Sequence, residues 1–180
     1  MTSGTSPTSP LPTRRLRHPG PNPAADLVLL RPSGASHEVL LIRRALGASA
    51  DPGKWALPGG FVDTKAAAGE PWAPGLETPA HAALRELHEE AGLDLTAHEP
   101  SLTAVGTYEG GGRDPRDTAD AWVRSHVFAL LVDEATGRTP IVAQDDAEAV
   151  QWHAVDELPP LAFDHARILE DAFGRLDLHR

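Results

Sequence analysis

The stretch from Thr78 to Leu93 constrains this chain more than any other. Thr78-Pro79 is a helix opening, because a threonine hydroxyl can accept from an exposed N–H and proline's missing N–H has no partner to lose at the first helical position. Gly92 ends the helix, being able to adopt the left-handed conformation that closes a helical C-terminus. At ~100° per residue, Leu84, Leu87 and Ala91 share one face, while Glu86, Glu89 and Glu90 share roughly the opposite one. Arg85 and Glu89 stand at the i, i+4 spacing of a helical ion pair. Three carboxylates on one patch repel each other, so the helix would be more stable without them. A solvated acidic face is one reading of this pattern. The other is a site for a hard cation such as Mg²⁺, which takes oxygen ligands and shares its shell with water and phosphate. The upstream turn Pro58-Gly59-Gly60 favours the second, since a glycine turn lets backbone approach a phosphate closely.

Composition narrows the chemistry. The 180 residues suit one domain with a full hydrophobic core. There is no cysteine, which removes disulfides, thiolate metal sites and cysteine nucleophiles together. Any metal must be held by oxygen or imidazole. A formal net charge of −10 argues against a surface that coats nucleic acid, yet an acidic protein binds a polyanionic small molecule when divalent cations mediate. No run is long and apolar enough for a membrane helix, and the N-terminus lacks the apolar core of a secretory signal. The expectation is a cytoplasmic protein with a small-molecule partner and neither nucleic acid nor membrane.

Residues 1–23 are rich in Ser, Thr, Pro and Gly and read as a flexible tail, with a basic cluster at Arg14, Arg15 and Arg17. The domain is expected over 24–180. Asp26–Leu30 and His37–Arg43 read as a hairpin, and Trp55–Val62 as a short strand broken by the glycine turn. Further strands are expected near Leu102–Thr107, Val123–Val132 and Ala149–His153, and a last helix over Asp164–Phe173. Strands on both sides of one central helix predict an α/β/α sandwich with a mixed sheet.

Arg85-Glu86-Leu87-His88-Glu89-Glu90-Ala91-Gly92-Leu93, with Glu77 upstream and seven residues between it and Arg85, resembles the second half of the Nudix box. The resemblance implies a pyrophosphohydrolase in which Glu86, Glu89 and Glu90 bind Mg²⁺ or Mn²⁺ and Arg85 orients a carboxylate with Glu77. It also implies that Gly59 and Gly60 supply a phosphate contact and a metal-ligand carbonyl. The general base does not transfer by position: Glu89 or Glu90 could serve, or an acid of Gln144–Glu148, where Asp145, Asp146 and Glu148 otherwise form an ordinary polar turn and Asp146 is expected to contact the substrate. The box places a glycine where this chain has Pro71, and Gly60 lies much further upstream. Residues 64–74 therefore read as an insertion between the glycine turn and the helix, with Trp72 available for substrate selection or for local packing.

Two later segments resemble the ADP-ribose pyrophosphatase group. In Gly112-Arg-Asp-Pro-Arg116, arginines flanking an Asp-Pro turn present guanidinium groups to phosphate or ribose hydroxyls, or else brace the turn itself. Asp120–Arg124 follows, with Trp122 either stacking on adenine or buried as core. Leu158–His165 is similar to a segment of the same group, with Asp164 placed as a helix cap. The resemblance implies hydrolysis of ADP-ribose to AMP and ribose 5-phosphate. Other nucleotide substrates are the alternative, and a non-catalytic ADP-ribose sensor is a third reading that the intact glutamate set disfavours. Relatives are often homodimers, which makes a homodimer the expectation by analogy.

Overall fold

One long strand organises the molecule. In the computed structural model, which describes residues 16–75, 77–110, 112–145 and 147–178, β1 (Gly20–Ser33) is buried from Asn22 to Leu30. Both of its faces are covered, and for that reason its centre is a continuous apolar run rather than an alternating one. β1 runs parallel to β6 (Ala121–Leu131) along its whole paired length. Its other edge is divided: Ala24–Asp26 pair with β4 (Gly59–Phe61), and from Leu30 onward the partner is β2 (Ser36–Arg44). β2 then pairs with β7 (Ala147–Ala154) and with β3 (Trp55–Ala56), while β5 (Thr103–Glu109) lies outside β6. The result is a seven-stranded mixed sheet.

A helix covers each face. α1 (Pro79–Ala91) packs Leu84, Leu87 and Ala91 against Ala25, Leu27, Leu29 and Leu40. α3 (His165–Arg175) packs Ile168, Leu169, Ala172 and Phe173 against Val28, Leu30, Val39 and Leu41. Each fully buried leucine or isoleucine contributes about 1.5–3 kcal/mol, so both layers are firmly held. A four-residue helix, α2 (Glu134–Gly137), follows β6. The α/β/α sandwich with a mixed sheet is what the sequence predicts. Thr78 caps α1 by accepting from the His81 N–H at 3.1 Å, and Gly92 closes it at φ 68°.

The tail boundary needs correction. Order begins before residue 24: Gly20–Pro23 already belong to β1, and His18 and Asn22 are buried. Pro21 and Pro23 mask this in the sequence, because prolines cannot donate to a ladder. They are tolerated because the first four residues of β1 have a strand partner on one side, β6. Arg14 and Arg15 lie outside the described residues.

The insertion at 64–74 closes on itself. Thr64 pairs with Pro74, and the Thr64 hydroxyl donates to Ala73 O at 2.6 Å while accepting from Ala66 N. The segment before β1 ties it down: Gly69 N–H donates to Arg17 O, and the His18 ring bonds Glu70 O at 2.9 Å. The added length is thereby taken up locally, and Glu77 still meets the Asp63 N–H at 2.9 Å, next to the start of the insertion.

Candidate active site

The cleft, of about 910 Å³, opens where β1 changes neighbour from β4 to β2. One wall is the C-terminal half of α1 with the glycine turn. The opposite wall is built from the start of α3 and the 113–116 loop, and the insertion contributes Thr64, Ala66, Ala68 and Trp72. Trp72 lines the cleft and packs against the α1 core.

Arg85 is the hub of the α1 wall. Its Nε and Nη2 grip the two oxygens of Glu77 at 2.7 and 3.1 Å. Nη1 donates to Glu86 at 2.8 Å and Glu89 at 2.9 Å, and Nη2 also reaches the Phe61 carbonyl at 3.1 Å. One planar guanidinium therefore joins α1, the residue ahead of it and β4, which a point-charge ammonium could not do. Burial alone would raise the Glu77 pKa, but Arg85 and the Asp63 N–H hold it below the usual carboxylate range.

Glu90 is almost fully buried and accepts from the Gly59 N–H at 3.0 Å. Burial, with Glu86 and Asp26 nearby, pushes its pKa up to about 8 despite that bond. Burial likewise raises Glu86 to about 6, against the pull of Arg85 and with the push of Glu89 and Glu77. Gly60 lies so close to the Glu86 carboxylate that a β-carbon there would overlap it. The displaced glycine of the motif thus still meets the helix, since the insertion leaves β4 in place beside β1.

The three helix glutamates do not converge on one point. All three line the cleft: Glu86 and Glu90 are the deeper pair beside the glycine turn, and Glu89, with 45% of its side chain exposed, shares the Arg85 Nη1 with Glu86. Among the described residues no three acidic or histidine side chains are gathered at metal-binding distance. The donor set still fits a hard cation: carboxylate oxygens of Glu86 and Glu90 next to a backbone turn, with no sulfur and with like charges that burial makes costly. Glu86 and Glu90, with Gly60 and an inward-turned Glu89, are the groups that would hold it.

This has a measurable consequence. A carboxyl whose folded pKa is raised keeps a proton that the unfolded chain releases, so stability falls as pH rises between the two values. For Glu90 that window runs from 4.5 to about 8. In EDTA the protein should lose several degrees of melting temperature between pH 6 and pH 8.5, and Mg²⁺, which binds the ionised form, should recover the loss. Glu90→Gln should flatten the EDTA profile. Thermal unfolding followed by circular dichroism checks it, and an unchanged slope in the variant would assign the effect to other groups.

The far wall differs from expectation in three places. Arg113 lines the cleft, but its Nε and Nη2 are engaged by Asp164 at 2.8–3.2 Å and its Nη1 by Ser125. Asp164 stands at the N-cap position of α3 without capping it, because its carboxylate is taken by Arg113. Arg116 braces its own turn, bonding the buried Asp114 at 2.7 and 2.9 Å. Its guanidinium also lies 5.1 Å from the Phe61 ring centroid and 5.9 Å from that of Phe163, at the cleft. Trp122 is misplaced by the sequence reading. Along β6 the buried Val123 and Ser125 face the cleft, so the alternating Trp122 points to the other face, where its indole N–H donates to Glu109. Asp146 lies outside the described residues; its neighbour Asp145 lines the cleft, and Glu148 instead accepts from the Leu46 N–H.

Three cleft residues escape sequence reasoning. Arg44 ends β2, and its guanidinium stacks 5.1 Å from the Phe163 ring. Burial and then Arg116 lower its pKa, so two cations share this wall. Phe163 is held at φ 51°, in the left-handed region, by a bond from its N–H to Asp51 at 2.8 Å. The third is Asp26, a carboxylate inside the apolar run of β1. A charge in a strand interior is the signal that could have marked it.

The NUDIX domain model matches residues 20–172. An ADP-ribose pyrophosphatase of Methanocaldococcus jannaschii is 33% identical over 138 residues, covering 75% of this chain and 65% of that protein. An ADPR-responsive transcriptional repressor, NtrR, of Acinetobacter baylyi is 31% identical over 162 residues, covering 89% of this chain and 56% of its own length. The chain thus spans roughly half to two thirds of these curated relatives. Among solved structures, the NUDIX domain of Shewanella oneidensis NrtR complexed with ADP ribose superposes with a TM-score of 0.66 at 25% identity, covering 86% of this chain and 88% of that one. With the glutamates of α1 set beside the glycine turn and the family model spanning nearly all of the described residues, this chain belongs to the Nudix family.

Proposed function

We propose that this protein is a divalent-metal-dependent pyrophosphohydrolase that cleaves ADP-ribose to AMP and ribose 5-phosphate. The observation that carries the reading is the pairing of two walls across one cleft. Glu86, Glu90 and the glycine turn form an oxygen-rich wall, and Arg44 and Arg116 form a cationic one. A diphosphate is the ligand that satisfies both. Mg²⁺ or Mn²⁺ held at the α1 wall would neutralise phosphate charge and lower the pKa of bound water. The chain's own residues do the rest. Arg85 keeps Glu86 and Glu89 oriented, and Arg44 and Arg116 receive the charge of the departing phosphate. A carboxylate, Glu89 or Glu90 on α1 or Asp146 beside the exposed Asp145, takes the proton of the attacking water. Water adds to one phosphorus as the bridging P–O bond breaks, and the two phosphates leave with one proton released.

The ADP-ribose assignment draws on the names of relatives and on the Arg113–Arg116 loop, which here contributes Arg116 and the turn that holds it. One relative is named an ADPR-responsive transcriptional repressor, and a NUDIX domain complexed with ADP ribose shares the fold, so turnover is the property to measure. Purified protein with Mg²⁺ or Mn²⁺ should release AMP from ADP-ribose faster than from nucleotide sugars or dinucleoside polyphosphates, and should spare nucleoside triphosphates. Intact ADP-ribose under both metals would overturn the substrate. Binding without turnover would favour the sensor reading.

A further inference from the structure

Asp26 is a carboxylate of the cleft that the hydrolytic chemistry does not use. Alternation places it with Val28 and Leu30 on the face of β1 covered by α3, where its neighbours are fully buried hydrophobes. Asp26 itself is 8% exposed, and its Oδ2 is buried with no hydrogen-bond partner among the described residues. Such a group is costly to keep unless a donor arrives with a ligand. Its position allows that. Asp26 pairs with Gly59 at the last residue of the β1–β4 ladder, so its side chain borders the gap through which the cleft enters the sheet.

Two donors fixed by other partners lie near it, as does the Glu90 carboxylate. His165 accepts from the Leu57 N–H at 2.9 Å through Nδ1, so its neutral ring carries the proton on Nε2. Arg113 is anchored by Asp164 and Ser125 on the same side of the sheet. An acceptor-only carboxylate flanked by fixed donors suits a hydroxyl, which donates to the first and accepts from the second. A carboxylate reads ribose hydroxyls in the same way in dinucleotide-binding folds.

We infer that Asp26 is a specificity residue that accepts a hydrogen bond from a sugar hydroxyl of the substrate, with His165 and Arg113 as the flanking donors. The inference rests on the reading of the cleft as a site for a nucleoside diphosphate derivative. ADP-ribose carries hydroxyls on both of its sugars, so the test must separate them.

Wild-type kinetics are compared on ADP-ribose, on its analogue lacking the 2-hydroxyl of the adenosine ribose, and on the analogue lacking that of the distal ribose. One analogue should lose at least about 30-fold in kcat/KM, as expected of a site built to bond a hydroxyl. Asp26→Ala should raise the KM for ADP-ribose about tenfold or more, by loss of a charge-assisted bond, with kcat changed far less. It should also reduce the preference between the two sugars' native and deoxy forms to about threefold or less. Asp26→Asn, which keeps an acceptor without the charge, should fall between. Both variants should melt at or above the wild-type temperature, because neither keeps a buried carboxylate with an unpartnered oxygen. A lower melting temperature with sugar preference intact would mean that Asp26 is structural, bonded through an ordered water, and would overturn the inference. Equal use of all three substrates by the wild type would overturn it as well, leaving the hydrolase reading untouched. Should ADP-ribose not be cleaved, the substrate assignment fails by itself, and the native and deoxy forms of the nucleotide that is cleaved decide the role of Asp26. If no nucleotide is cleaved, both fall.

Discussion

Glu90→Gln should reduce kcat for ADP-ribose by about 1,000-fold, the effect of losing several kcal/mol of charge stabilisation. The substitution is nearly isosteric, and a glutamine oxygen can still accept from the Gly59 N–H that now bonds Glu90. The fold and the position of the glycine turn are therefore kept, and what disappears is the negative charge. Because that charge is buried and unfavourable without a cation, the variant in EDTA should melt at or above the wild-type temperature at pH 8. Loss of activity with preserved or improved stability separates a functional carboxylate from a structural one. Steady-state kinetics and thermal unfolding on the same preparation check it. A kcat within about tenfold of wild type would remove Glu90 from the chemistry.

Arg85→Ala should be costly in both respects. Glu77 has a side chain only 8% exposed and is bidentate with Arg85. Removing the guanidinium leaves that carboxylate buried with the Asp63 N–H alone, a change worth about 3–5 kcal/mol for a buried pair. Phe61 O, Glu86 and Glu89 lose a donor at the same time. Freed from Arg85, Glu86 and Glu89 should repel each other, and activity should fall about 100-fold, the upper range for loss of a group that orients metal ligands. Arg85→Lys retains the charge but cannot span the fork to Glu77 and the contacts to Glu86 and Glu89 together, so it should recover stability better than activity. Denaturant unfolding and kcat measured for both variants test this. Near-wild-type behaviour of Arg85→Ala would show that the hub is dispensable.

The helix was legible because its signals are local. Periodicity, a threonine cap, a proline start and a glycine stop all agree, and the structure closes α1 with those residues. The strands were legible for the same reason, apart from the start of β1, where two prolines conceal four paired residues. The arginine loop was half legible. Its Arg-Asp-Pro-Arg spacing marked a braced turn, yet nothing in it indicates that Arg113 would meet Asp164, fifty-one residues away. Asp164 was readable as a cap only because a cap is a local role.

The sequence by itself determined the family, the sandwich, and the set of carboxylates on α1, since these follow from spacing along one chain segment. Tertiary structure decided how deeply each of those carboxylates is buried in the cleft and which partner each arginine takes. It also decided that Trp122 is turned away while Asp26, Arg44 and Phe163 line the wall opposite or beside α1. The physical reason lies in the sheet. β1 leaves β4 at Asp26 and takes up β2 only at Leu30, and that change of neighbour opens the cleft and leaves a carboxylate oxygen without a partner among the described residues. Register between strands distant in sequence sets that position, and no periodicity within a single strand encodes it.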